Sequence, residues 1–360
     1  MRNRKSDKRI VLTGGGTTGH VSVNLALIPH LLDKGYEIYY LGSKKGIEKE
    51  LITPLDRVKY VEISTGKLRR YFSWENLKDV FRVALGTLQA SWQIFKIRPN
   101  IIFSKGGFVS VPVLIGGKIN GVPSLTHESD LTPGLANKLV QPFVNQIFTT
   151  FPETSQYIKS GKGKYLGPVI RDELKDGKAY RAQLRFDLDN KPVILVMGGS
   201  LGARALNRKI REALPELTKT FNVVHACGKG ELDDTIQNES YVQLEYIKEG
   251  LNDLFDLADI VVSRAGSNAI FEFLYYKIPM LLVPLPTRQS RGDQIDNAKS
   301  FERQGFAITV DEDTLTQENL LDRINRLHDN KQIYVENMEK VNFQNSLETL
   351  LDSIEKNNKS

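Results

Sequence analysis

The chain has a single cysteine, Cys227, among 360 residues. No internal disulfide can form, and such cysteine usage suits a reducing compartment. No apolar run approaches the roughly 18 residues that a spanning helix needs. The first nine residues, MRNRKSDKR, are basic, but strand-like IVLTGGG follows them where a signal peptide would carry its apolar core. The chain is therefore expected to be soluble or to lie on a membrane without crossing it. A lysine–serine phosphate loop is missing, and although the first glycine run, Gly14 to Gly19, has the letters of GxGxxG, the rest of the dinucleotide signature is not there. No acidic residue ends the second strand, where Leu41-Gly42-Ser43 stands. Acid is in slight deficit, 43 Asp and Glu against 49 Lys and Arg, and the resulting net charge of +6 favours anionic partners. The basic residues are scattered, not striped, which argues against a non-enzymatic, basic nucleotide- or nucleic-acid-binding module.

What is present is a β/α alternation that runs twice. Arg9–Leu12 reads as a strand, followed by Gly14-Gly15-Gly16-Thr17-Thr18-Gly19-His20. Val21–Lys34 then carries apolar residues at helical spacing, with Gly35 as its C-terminal stop. Glu37–Leu41 is the second strand. Ile101–Ser104 runs into a second glycine turn, Gly106-Gly107, and Pro123–Leu125 into His127-Glu128-Ser129-Asp130. In a parallel sheet, His20, Gly106 and His127 should meet along one edge, where such sheets bind ligands. Phe148–Phe151 closes this half. Glycine and proline in Gly167-Pro168-Val169-Ile170-Arg171 argue for a domain boundary. The pattern restarts at Val193–Met197, with Gly198 to Ala203, Val223–Cys227, Tyr241–Glu245 and Ile260–Val262 after it. Val341–Ile354 reads as a last helix.

Ser263–Ala298 reads as strand, glycine turn, helix, strand and polar loop. Gly266 suits a turn that a Cβ would resist, and Ser267 or Asn268 suits a helix cap. The helix N-terminus favours an anion such as a diphosphate. Glu272, a turn further in, offers two acceptor oxygens to a pair of ribose hydroxyls. An ordinary βαβ unit with a surface loop would look the same by spacing alone. In Lys67–Pro99, Lys67, Arg69, Arg70, Lys78 and Arg82 alternate with Tyr71, Phe72, Trp74, Leu77, Phe81, Leu85 and Trp92. Most of these apolar residues are expected to face the core; the alternative is an interfacial patch on anionic lipid.

GGGTTGH (Gly14–His20), SKGGFVSVP (Ser104–Pro112), HESD (His127–Asp130), GPVIR (Gly167–Arg171), GGSLGA (Gly198–Ala203), SRAGSNAIFE (Ser263–Glu272) and GDQIDNA (Gly292–Ala298) occur in this order. Together they resemble the MurG family, the N-acetylglucosaminyltransferases of peptidoglycan synthesis, over nearly the whole chain. The resemblance implies a GT-B fold: two α/β, Rossmann-like domains with parallel sheets facing across a cleft. Residues 1–166 would form the acceptor- and membrane-facing domain, with 341–360 packing back on it, and 167–340 the UDP-GlcNAc-binding domain. The implied reaction is inverting transfer of GlcNAc from UDP-GlcNAc to the 4-hydroxyl of the muramyl sugar of lipid I, giving lipid II. It would occur at the cytoplasmic face of the membrane, on an anionic lipid surface, with cell-wall synthesis proteins as further partners and no cofactor. The donor residues implied are Arg171, Ser200, Ile247, Ser267, Asn268, Ala269, Glu272 and Gln294. The acceptor loops implied are Gly15, Gly16, Thr17, Thr18, Gly19, Gly106, Gly107 and Asp130. Thr18, Asp130 and Asp293 depart from the family's usual glycine, asparagine and glutamine.

Inverting displacement needs a base for the acceptor hydroxyl and charge stabilisation for departing UDP. His20 is the first candidate base, against a reading in which it only anchors a phosphate or the backbone. Glu128 is the rival base, against a capping or structural role. His127, His30, His225 and His328 read as structural. Asp187-Leu188-Asp189 has the letters of a metal-binding DxD but precedes its strand, at the wrong end for a ligand. No metal is expected; a helix N-terminus and Arg171 would take its place. The alternatives are another GT-B enzyme, a diacylglycerol glucosyltransferase or a UDP-GlcNAc 2-epimerase.

Overall fold

A computed structural model describes residues 8–66, 74–158, 161–198, 203–343 and 345–358. The chain divides into two compact units. One is the chain up to Arg171 together with the stretch beyond Phe343; the other is Asp172–Phe343.

The first unit alternates β1 (Arg9–Thr13), α1 (Ser22–Asp33), β2 (Glu37–Ser43), α2 (Ile47–Ile52), β3 (Val58–Ile63), α3 (Trp74–Ile97), β4 (Ile101–Ser104), α4 (Ser110–Ile119), β5 (Ser124–Glu128), α5 (Leu135–Val140), β6 (Gln146–Thr149) and β7 (Gly163–Tyr165). All pairings are parallel, in the order β3-β2-β1-β4-β5-β6-β7. Parallel strands need both faces covered, so they read as continuous apolar runs. Successive side chains still separate by face. Ile10 and Leu12 enter one core cluster, with α1, and Val11 enters the other, with α3 and α4. Gly116 lets α4 approach α3, since a Cβ there would fall 2.9 Å from the Ser91 nitrogen.

The second unit runs α6 (Ala179–Arg185), β8 (Val193–Met197), α7 (Arg204–Thr220), β9 (Asn222–Ala226), β10 (Tyr241–Leu244), α8 (Leu251–Leu257), β11 (Ile260–Ser263), α9 (Ser267–Tyr275), β12 (Met280–Leu282), α10 (Asp293–Arg303), β13 (Ala307–Thr309), α11 (Gln317–Asp329) and α12 (Lys331–Glu339). Its parallel order is β10-β9-β8-β11-β12-β13. A final helix, α13 (Ser346–Lys356), returns to the first unit. Leu347, Leu350, Leu351 and Ile354 join the core that holds α1, and the Ser346 hydroxyl donates to the Leu166 carbonyl at 2.8 Å.

Some boundaries differ from those read in the sequence. Gly167–Arg171 groups with the first unit. The amides of Leu166 and Gly167 both donate to the Thr149 carbonyl, at 2.9 and 3.2 Å, and Val169 packs on the first core. The last helix begins at Ser346, not Val341, because the Asn345 side chain caps it by accepting from the Glu348 amide. Phe343 stays with the second unit, its ring against Tyr275. The largest correction is α3. Phe81, Leu85 and Trp92 do not face the core; with Leu88 and Phe95 they are 50–69% exposed. Among the described side chains, the apolar ones that α3 buries are Ala90, Ile94 and Ile97. Lys67, Arg69, Arg70, Tyr71 and Phe72 lie outside the described residues.

Candidate active site

In the first sheet the strand order reverses between β1 and β4, and the two glycine turns follow those two strands. Such a switch point opens a crevice at the C-terminal strand ends. The turns are in contact. A Cβ on Gly107 would fall 2.4 Å from the Gly15 carbonyl oxygen and 3.1 Å from His20 Nδ1. Gly107 has φ 81° and Gly106 φ 93°, left-handed values that favour glycine. Gly16, at φ 89°, lies under the Phe108 ring. Thr17 and Thr18 are exposed, and Gly19 and His20 half-buried. His20 Nδ1 lies 3.1 Å from the Thr17 hydroxyl.

Three buried charged side chains prop this edge, and one of them, Glu48, lies in none of the motifs. Glu48, fully buried at the start of α2, accepts from the Gly16 and Ser43 amides, both at 3.0 Å, and from the Ser43 hydroxyl. A Cβ on Gly15 would strike its carboxyl at 2.4 Å. Lys105 is 1% exposed, and its Nζ has no hydrogen-bond partner among the described residues. Burial lowers its ammonium to about 8, against the pull of Glu128 and Asp130. Glu128 accepts from the Asp130 amide at 3.0 Å, the Gly134 amide at 2.8 Å and Asn137 Nδ2 at 2.9 Å. That arrangement ties the loop after β5 down. His127 is buried, with Nε2 3.3 Å from the Thr150 hydroxyl. Burial, then the Lys105 charge, holds it well below the usual histidine range. Asp130 is half-buried.

The second sheet also reverses at a switch point, between β8 and β11. Ile247, Ser267–Ala269, Glu272 and Gln294 all follow the C-terminal ends of its strands. Gly266 is the N-cap of α9, with φ −68°, and a Cβ there would meet nothing within 4 Å. Its expected turn role is therefore not what the backbone shows. Ser267 and Asn268 are the first helical residues and not the N-cap, a position that Gly266 fills without a side chain. Asn268, Ala269 and Glu272 are half-buried, and their spacing puts them on one side of α9. Gln294 Oε1 accepts from the Leu285 amide at 3.0 Å. Arg264 is buried against Glu312, donates to the Val283 carbonyl at 3.0 Å, and so clamps the ends of β11, β12 and β13. Arg288, on the polar loop, reaches the same Glu312 at 3.0 Å. Arg264 and Glu312 went unread in the sequence because they are far apart along it. Arg171 is half-buried at the end of the first unit. Ser200 lies outside the described residues. Asp189 accepts from the Lys191 amide and Asn222 Nδ2 ahead of β8, at the opposite end from these loops.

Two Rossmann-like units, each with a loop-lined ligand edge at its switch point, define a glycosyltransferase-like α/β protein of GT-B class. The described family models agree: the glycosyltransferase family 28 N-terminal domain matches residues 10–149 and the C-terminal domain 193–354. A Geobacillus kaustophilus (strain HTA426) protein is 53% identical over 97% of this chain and 98% of its own. One from Staphylococcus aureus (strain MRSA252) is 51% identical over 96% and 98%. Both are named UDP-N-acetylglucosamine–N-acetylmuramyl-(pentapeptide) pyrophosphoryl-undecaprenol N-acetylglucosamine transferase. The crystal structure of Acinetobacter baumannii MurG superposes with a TM-score of 0.77 at 23% identity, over 97% and 99% of the two chains. The chain belongs to glycosyltransferase family 28, among the MurG-type N-acetylglucosaminyltransferases. These names support the lipid I transferase and neither the glucosyltransferase nor the epimerase.

Proposed function

We propose that the protein transfers GlcNAc from UDP-GlcNAc to the muramyl 4-hydroxyl of lipid I with inversion, forming lipid II. The observation that carries this reading is identity above 50% along nearly the whole chain to transferases of that name. The first unit takes the acceptor and the second the donor. Glu272 accepts from the ribose hydroxyls, Ile247 meets the uracil, and Gln294 holds the sugar through its amide nitrogen, since its oxygen is engaged by Leu285. Ser200, Arg171 and the N-terminus of α9 meet the diphosphate, whose charge grows as UDP leaves.

His20 is the base. If Nδ1–H donates to the Thr17 hydroxyl, Nε2 carries the lone pair that takes the acceptor's proton. Glu128 is better suited to holding the loop of Asp130, since three donors already occupy its carboxylate. Gly15 through Gly19, Gly106, Gly107 and Asp130 shape the acceptor diphosphate site. The exposed face of α3 supports seating on an anionic membrane surface. Phe81, Leu85, Leu88, Trp92 and Phe95 recur at alternating spacings of four and three, with Lys96 over the Trp92 ring at 5.2 Å. No helix among the described residues is long and apolar enough to cross a membrane. Incubation with radiolabelled UDP-GlcNAc and a lipid I analogue tests the function: label should enter the lipid fraction. Release of UDP without labelled lipid would overturn it.

A further inference from the structure

A cavity of about 1040 Å³ opens beside the first glycine loop, wholly within the first unit. Gly16 and Phe108 line it on the loop side, and Lys44, Lys45 and Arg82 line it elsewhere. Its volume is at the upper end of small-ligand sites, more than one sugar ring fills. Glu62 and Asp79 also line it, but each carboxylate has a partner: Lys49 at 2.7 Å and Arg82 at 3.0 Å. Among the described residues, Lys44 and Lys45 are then the lining cations outside an ion pair. Their loop is not an independent flap. The buried Glu48 carboxyl accepts from the Ser43 amide on one side and the Gly16 amide on the other, so the lysine loop and the glycine loop are fixed to one another.

We propose that this cavity is the subsite for the acceptor's pentapeptide, with Lys44 and Lys45 meeting its carboxylates. The proposal rests on the transferase reading above. In a muramyl sugar the peptide hangs from the lactyl ether on carbon 3, next to the reacting hydroxyl on carbon 4. Once that hydroxyl sits at His20, the peptide must leave the ring within a few ångströms of the glycine loop. The cavity that shares Gly16 with the loop is the large space at that place. A peptide with a free C-terminal carboxylate matches a basic lip more closely than a neutral glycan does. Lys44 and Lys45 would thereby set which acceptors are preferred and leave the chemical step to His20.

The test compares two lipid-linked acceptors, muramyl diphosphate lipids with and without the pentapeptide, in the full-length enzyme. The readout is the ratio of kcat/KM for the peptide-bearing acceptor to that for the peptide-free one. Lys44→Glu with Lys45→Glu should lower this ratio about tenfold, through KM for the peptide-bearing acceptor. Lys44→Gln with Lys45→Gln should lower it about threefold, and serves if charge reversal disturbs folding. An unchanged ratio in a variant that binds UDP as wild type does would overturn the subsite. Failure of the wild type to turn over either acceptor would instead overturn the transferase reading.

Discussion

The ligand edge of the first unit is held by buried carboxylates that accept from loop amides, and that of the second by a buried arginine–glutamate pair that clamps strand ends. At the first, Glu48, Lys105 and Glu128 all lie beneath the glycine loops, at most 5% exposed. At the second, the N-cap of α9 is a glycine, and the buried pair Arg264–Glu312 clamps strand ends behind it. The difference fits the proposed division of labour. A nucleotide diphosphate needs backbone N–H groups and a dipole, which any helix start provides. Proton removal needs one imidazole held in one tautomer at one place, and that demands a rigid bed.

The sharpest way to break this comparison is at His20. His20→Ala should lower kcat by about 10²–10⁴-fold, and His20→Asn should not rescue it, since an amide cannot take the proton. Recovery with Asn would make His20 an anchor and return Glu128 to consideration. Next in size is Glu48→Ala, which strands the Gly16 and Ser43 amides. Thermal or chemical unfolding should show the first unit destabilised by about 2–5 kcal/mol; wild-type stability would remove Glu48 from its role. Lys105→Met sharpens the comparison through pH. The folded ammonium titrates near 8, below its ordinary 10.5. The unfolded chain therefore binds more protons between about pH 8 and 10.5, so stability rises with pH across that window, and the penalty is complete below it. Lys105→Met should raise stability at pH 7 by about 1–3 kcal/mol and flatten that rise. The same slope in both proteins would contradict it. The smallest effect is expected at the exposed face of α3. Phe81→Ser with Trp92→Ser should reduce sedimentation with anionic vesicles several-fold and spare turnover of a water-soluble acceptor; equal sedimentation would leave the stripe without a lipid role.

Most of this architecture could be read from the chain because each ligand loop is local: strand, glycines, helix. The β/α alternation and both glycine edges follow from runs such as Ile260–Ser263 and from glycines close in sequence. The strands β3, β7 and β13 were not legible, being short or mixed in polarity, as in Val58–Ile63. The supports beneath the loops were less legible still. Glu48 meets Gly16 across 32 positions and Arg264 meets Glu312 across 48, and nothing in either neighbourhood signals a buried carboxyl. The exposure of α3 was misread because a stripe at helical spacing looks the same whether it faces a core or a membrane. Its opposite stripe, Ala90, Ile94 and Ile97, was the one that packs.

The division of labour between the two edges can be tested by titrating UDP into His20→Ala and Glu272→Ala by calorimetry, beside wild type. Glu272→Ala should bind UDP about tenfold more weakly or worse, because two ribose hydroxyls lose a charged acceptor worth roughly 1.5–3 kcal/mol. His20→Ala should bind it within a few-fold of wild type. Equal weakening in both, or no weakening in Glu272→Ala, would contradict the assignment of donor to the second unit and chemistry to the first.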